Sequence, residues 1–249
     1  VIIPDKFMEL AYEDEVCYTF NPHTVYLAYG KYLDDMDMNE MYEKLVDNPE
    51  VKKKKINSRE LLVKISQSQK ESGYPYIFFK DNANKEHALK EIGDIKFSNL
   101  CTEIMQLSEV SDINPYYEED IIRRGISCNL GSLNIATVME NKRIKEATKA
   151  AIDSLTMVSD LTNIDVVPTI KKANEELHSV GLGAMNLHGF LAKNFIMYES
   201  KEALDFCNVF FMMLNYYSLE RSMEIAKERG EVFKDFEKSE YAKGTYFDK

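Results

Sequence analysis

Asn99, Cys101 and Glu103 occupy alternate positions in Lys96-Phe97-Ser98-Asn99-Leu100-Cys101-Thr102-Glu103-Ile104. In an extended segment side chains alternate between two faces, so these three project together while Leu100, Thr102 and Ile104 point the other way. One face then carries an amide that can donate and accept hydrogen bonds, a thiol that can give up a hydrogen or an electron pair, and a carboxylate that can take a proton. The same alternation also describes the solvent face of an ordinary strand. The triplet alone leaves both readings open.

The elements that must position these residues can be read from periodicity. Met38, Met41, Tyr42, Leu45 and Val46 mark one apolar face of a helix that Asn48-Pro49 ends. Lys52 to Lys55 reads as a solvated surface patch. Asn57 and Glu60 have capping-box spacing for a helix running to about Ser72, with Gly73 as its C-terminal cap. Tyr74-Pro75-Tyr76-Ile77-Phe78-Phe79 reads as a short buried strand, and Asp81 to Asn84 as a turn leading toward the Asn-Cys-Glu stretch. Asp112 to Asp120 is a loop. Gly125 to Ile135 reads as a second strand in which Ile126, Cys128 and Leu130 share a face, and its glycines mark a close approach to the backbone.

Ile144, Ala147, Thr148, Ala151, Leu155 and Val158 keep the helical period until Asp165-Val166-Val167-Pro168 interrupts it. Val180 to Met185 reads as a third strand, followed by a helix from Asn186 to Lys193. Gly181-x-Gly183 lacks the third glycine of a dinucleotide fingerprint, so close strand–helix packing explains it better. A last long helix starts at Ser200, carries Ala203, Phe206, Cys207, Phe210, Leu214 and Tyr217 on its apolar stripe, and ends at Gly230. Strands alternating with long helices predict an α/β fold with parallel strands in one domain.

Composition narrows the function classes. With 31 basic and 42 acidic residues the net charge is −11, which argues against a nucleic-acid partner. The longest apolar run, Val209 to Leu214, is too short to cross a bilayer, and the first residues have no signal-peptide character, so no membrane partner is expected. Cysteines at 17, 101, 128 and 207 form no dense framework, which suits a reducing, cytoplasmic compartment. Histidines at 23, 87, 178 and 188 are too scattered for a local metal motif, and no metal ligands are assigned. Cys207 reads as a packing residue. Cys17, beside Glu13, Asp14 and Glu15, is expected to be disfavoured as a thiolate by its acidic neighbours.

Asn99-Leu100-Cys101-Thr102-Glu103-Ile104, Ser127-Cys128-Asn129-Leu130-Gly131-Ser132-Leu133-Asn134 and Val180-Gly181-Leu182-Gly183-Ala184-Met185-Asn186-Leu187-His188-Gly189 together resemble the catalytic (large, α) subunit of class I ribonucleotide reductase, most closely its bacterial class Ib branch. The resemblance runs along essentially the whole chain. It implies part of a ten-stranded α/β barrel with long flanking helices, residues 1–249 being the central portion of that domain and a finger loop lying near 96–105. It implies radical-based reduction of ribonucleoside diphosphates to deoxyribonucleoside diphosphates, the precursors of DNA. Cys101 matches the thiyl-radical cysteine, Glu103 the base for the 3′-hydroxyl and Asn99 the amide that binds the ribose hydroxyls. Cys128 matches one member of a redox-active disulfide whose partner would lie upstream of Val1. Substrate-binding positions carried over are Asn99, Leu100, Cys101, Thr102, Glu103 and Leu130.

The resemblance further implies a separate small (β) subunit bearing a dinuclear manganese or iron radical cofactor, with none bound in this chain. It implies a thioredoxin- or glutaredoxin-like reductant, nucleoside triphosphate effectors and a homodimer in the full-length enzyme. The chain reads as a piece of that enzyme and is expected to be inactive in isolation. Two alternatives stand beside this reading. One is an adenosylcobalamin-dependent reductase sharing the barrel. The other is a non-enzymatic α/β interaction module in which the triplet is a solvent-facing strand edge.

Overall fold

A computed structural model describes residues 1–248. The chain divides into two compact units, residues 1–108 with 237–249, and residues 109–236.

In the first unit β1 (Ile2–Ile3) is followed by α1 (Asp5–Tyr12), β2 (Val16–Phe20), α2 (Pro22–Tyr29), α3 (Met38–Asp47), β3 (Lys53–Asn57), α4 (Ser58–Ser72), β4 (Phe78–Phe79) and α5 (Lys80–Glu86). A short helix, Glu240–Lys243, returns to this unit, where Glu240 pairs with Lys90 at 2.6 Å. The capping signals translate directly. Asn57 Oδ1 accepts the Glu60 N–H at 2.8 Å, and Gly73 ends α4 at φ +79°. Val25, Met36, Leu45 and Val51 form one apolar cluster, and Leu10, Cys17 and Tyr42 another.

Three expectations change here. The lysine run is exposed, as expected of a surface patch, but Lys53 to Asn57 is also a strand, paired antiparallel with β2. Of the aromatic run only Phe78-Phe79 joins a ladder, because β1 supplies just two residues for it to pair with. Phe78 is buried, while Tyr74 and Tyr76 are exposed. Asp81 to Asn84 is not a turn but the interior of α5. Asn84 satisfies its side chain by donating to Lys80 and Ile95 carbonyls and accepting the Ile95 N–H, so its turn preference is overridden by tertiary bonds.

The second unit opens with an irregular stretch and then runs β5 (Asn129–Asn134), α6 (Ile135–Glu140), α7 (Ile144–Leu161), α8 (Pro168–Leu177), β6 (Val180–Met185), α9 (Leu187–Lys193) and α10 (Lys201–Arg229). β5 and β6 pair in parallel, from Asn129 opposite Val180 to Asn134 opposite Met185. β5 is shorter than the sequence suggests, since its ladder lasts only as long as β6, and Ile126 and Cys128 lie ahead of it. Ser200 caps α10 by accepting the Ala203 N–H, and Gly230 ends the helix at φ +69°. Phe210 and Leu214 bury with Ile135 and Val138 in this unit's core. Arg221 of α10 meets Asp153 of α7 at 2.6 Å, and Lys149 of α7 meets Glu220 at 2.7 Å. The two parallel pairs, β1–β4 and β5–β6, agree with the α/β expectation, and the antiparallel β2–β3 pair departs from it. No described helix is long and apolar enough to cross a membrane.

Candidate active site

The Asn99–Glu103 segment is a turn, not an extended strand, so the alternating-face geometry expected from the sequence does not apply. The Thr102 N–H donates to the Asn99 carbonyl at 3.1 Å, closing a four-residue turn. Thr102 then adopts φ +65°, a left-handed conformation that a β-branched residue rarely takes. This reversal turns the N–H groups of Glu103 and Ile104 toward a single acceptor, Asn99 Oδ1, at 3.1 and 3.0 Å. Successive N–H groups converging on one oxygen form a backbone nest, here filled by the protein's own amide. Asn99 Oδ1 is therefore committed to the loop, and its Nδ2 protons are the part able to donate outward.

The turn still places the thiol and the carboxylate on one short segment. Cys101 is exposed near the apex beside Leu100, which is 82% exposed, and Glu103 is exposed on the return limb. A thiol and a carboxylate two residues apart on a pinned turn can address adjoining groups of one small molecule. Sequence reasoning passed over Ser98. Its hydroxyl donates to the Ile104 carbonyl at 2.7 Å and ties the two limbs together. The Ser-Asn pair is the one signal that could have announced it, since both residues favour side-chain-to-backbone bonds in turns.

Cys128 stands in the second unit, immediately before β5, and is half-buried. Leu130 lies opposite Gly181 in the ladder and is more than half exposed. A Cβ on Gly181 would come within 2.5 Å of Leu130 Cδ2 and 3.2 Å of Cys128 Sγ. Cys128 and Leu130 thus lean over the same bare backbone, in line with the shared face expected of them. Gly181 makes room for side chains of the neighbouring strand, not for a helix. The close strand–helix approach is at Gly131, where a Cβ would meet Leu155 of α7 at 3.3 Å.

A buried polar knot lies near this strand end. Ser159 Oγ donates to Asn174 Oδ1 at 2.7 Å, Asn174 Nδ2 donates to the Ser159 carbonyl at 2.9 Å, and Ser127 Oγ approaches the same Oδ1 at 3.4 Å. It pins α8 to α7 next to Cys128.

Cys17 is buried, and burial pushes its thiol above the usual range. The expected resistance to ionisation is present, but desolvation causes it and not the neighbouring acids. Cys207 is half-buried on α10. Among the described residues no group of three or more His, Cys, Asp or Glu side chains is placed to hold a metal ion.

A family model described as the ribonucleotide reductase barrel domain matches residues 1–249. The ribonucleoside-diphosphate reductase subunit alpha of Bacillus subtilis is 60% identical over 249 residues, covering 100% of this chain and 36% of that protein. The protein of the same name from Mycoplasma genitalium is 45% identical over 250 residues, covering 100% of this chain and 34% of its own length. That from Helicobacter pylori is 30% identical over 286 residues, covering 97% and 36%. The chain spans about a third of the length of these relatives.

Proposed function

This chain belongs to the ribonucleotide reductase barrel-domain family, and on that premise we propose that the protein carrying it reduces ribonucleoside diphosphates to deoxyribonucleoside diphosphates. The family is the class I large subunit, most similar to class Ib, and residues 1–249 are read as the central portion of its catalytic barrel with the finger loop at 96–105. The observation that carries the reading is the pinned turn that presents Cys101 and Glu103 on one short loop with the Asn99 amide between its limbs.

In this reading Cys101, as a thiyl radical, takes the 3′-hydrogen of the ribose and becomes a thiol. Glu103 accepts the 3′-hydroxyl proton, which strengthens electron donation from that carbon and lets the 2′-hydroxyl leave as water. Cys128 and a second thiol supply two electrons and two protons, one proton to the departing hydroxyl and one to C2′, and end as a disulfide, while Glu103 returns its proton to the 3′-oxygen. Cys101 then returns its hydrogen to C3′ and recovers the radical. The sum is one diphosphate and two thiols giving one deoxynucleotide, one disulfide and one water. Asn99 Nδ2 donates to a ribose hydroxyl, while Leu100, Thr102 and Leu130 line the sugar's surroundings.

The radical is supplied from outside this chain, by a dinuclear manganese or iron cofactor on a separate small subunit. A thioredoxin- or glutaredoxin-like protein resets the disulfide. The full-length protein is a cytoplasmic homodimer regulated by nucleoside triphosphates. Exposure of Cys101 in this chain is what an interaction module would also show; the family match over every residue outweighs it.

The test is reconstitution of the full-length protein with small subunit, dithiol and a radiolabelled ribonucleoside diphosphate. Deoxynucleoside diphosphate should form only when the small subunit is present. Product formed with adenosylcobalamin alone, or none under either condition, would contradict the proposal.

A further inference from the structure

We infer that Ser98 is a positioning residue for the reaction: its hydroxyl closes the neck of the Cys101 loop and thereby fixes Glu103 relative to the thiol. The inference rests on the proposed roles of Cys101 and Glu103. Besides the Ser98 bond, three hydrogen bonds hold the loop. The Thr102 N–H to the Asn99 carbonyl makes the turn, and the N–H groups of Glu103 and Ile104 to Asn99 Oδ1 fill the nest. These three all run to Asn99, so they fix the apex and the return limb against one residue. None of them ties the chain before Asn99 to the return limb. The Ser98 Oγ to Ile104 carbonyl bond, at 2.7 Å, is the tie that does so.

The hydroxyl has one proton and two acceptors within reach, the Ile104 carbonyl at 2.7 Å and Asn99 Oδ1 at 3.2 Å. The shorter contact takes the proton. The Ser98 oxygen is then left next to Asn99 Oδ1 as a second oxygen beside the nest, which disfavours any swing of that amide oxygen toward Ser98.

Thr102 makes the clasp necessary. A left-handed β-branched residue is unfavourable by roughly 1–3 kcal/mol and persists only where surrounding bonds over-determine it. With the neck open, Thr102 can relax toward negative φ. The Glu103 N–H then leaves Asn99 Oδ1, and the carboxylate moves with it. Because Cys101 lies on the other side of Thr102, that single torsion changes the thiol-to-carboxylate separation. Misplacement of reacting groups by about 1 Å costs on the order of 10²-fold in rate.

The test uses the full-length enzyme with its small subunit and dithiol, and compares wild type, Ser98→Ala and Ser98→Thr. Ser98→Ala should lower kcat by about 10- to 100-fold with KM changed less than about threefold, since the groups that touch substrate remain. Ser98→Thr retains the hydroxyl and should restore kcat to within about threefold of wild type. Circular dichroism and melting of all three proteins control for folding. If Ser98→Ala turns over as wild type does, or if Ser98→Thr is as slow as Ser98→Ala while folded, Ser98 has no positioning role. A wild type that reduces no diphosphate would overturn the proposed function itself, an outcome distinct from an active wild type beside an unaffected Ser98→Ala.

Discussion

In the loop around Cys101 the positioning contacts are hydrogen bonds between side chains and nearby backbone, supplied by Ser98 and Asn99. At Cys128 the means are different: a parallel ladder begins at the next residue, and the thiol packs over the bare backbone of Gly181. The first arrangement is local, exposed and holds a strained residue. The second is anchored by long-range pairing and by the Ser127–Asn174–Ser159 knot. The difference matches the two jobs proposed for the cysteines. A group that must meet a small hydrogen at one carbon needs angular definition, which short hydrogen bonds supply. A group that later forms a disulfide needs room beside it, and a missing Cβ on the adjacent strand supplies that.

The loop should be the more sensitive of the two regions. Glu103→Gln preserves shape and hydrogen-bonding capacity but cannot take a proton, so kcat should fall by about 10²–10⁴ with KM little changed. Steady-state kinetics on the full-length enzyme check this. A loss confined to KM would make Glu103 a binding residue.

At the strand end the expected effect is smaller. Gly181→Ala would push a methyl against Leu130 Cδ2 and crowd Cys128 Sγ. Leu130 is half-exposed and can swing aside, so the cost should be about 1 kcal/mol of stability. Crowding at the thiol should also slow the reducing step, seen as increased release of free base per deoxynucleotide. Unchanged melting and unchanged product partition would show that the bare backbone has no part in holding Cys128.

A milder change is expected at Thr102. Thr102→Gly removes the left-handed strain but adds the conformational entropy of glycine to the unfolded chain. The two offset, and unfolding free energy should change by less than about 1 kcal/mol. A denaturant melt measures it. A loss well beyond that range would mean that Thr102 is held by side-chain packing and not tolerated as strain.

Helix boundaries were readable in the sequence wherever one residue both breaks and caps: Asn57 and Gly73 around α4, Ser200 and Gly230 around α10. Those signals are local, so they need no knowledge of the rest of the chain. The residue types in the loop were also readable, because an amide, a thiol and a carboxylate keep their chemistry whatever path the backbone takes. The backbone path was not. Alternation at period two describes a strand only when a ladder partner exists, and here the Asn99 side chain takes the place of that partner. β3 was hidden for the converse reason: a lysine run looks like a solvated patch, and its pairing with β2 is set by a residue range more than thirty positions away. The length of β5 depended on β6 in the same manner.

The two cysteines are proposed to act at different times, and Cys101→Ser set beside Cys128→Ser in the full-length enzyme separates their roles. Product analysis with a radiolabelled diphosphate is combined with spectroscopy of the small-subunit radical. Cys101→Ser should leave substrate intact and the radical in place, because a serine hydroxyl is a far poorer hydrogen carrier than a thiol. Cys128→Ser should let the reaction begin and then strand it, with free base released and the radical lost. Identical behaviour of the two variants, or base release from Cys101→Ser, would contradict the roles assigned to both residues.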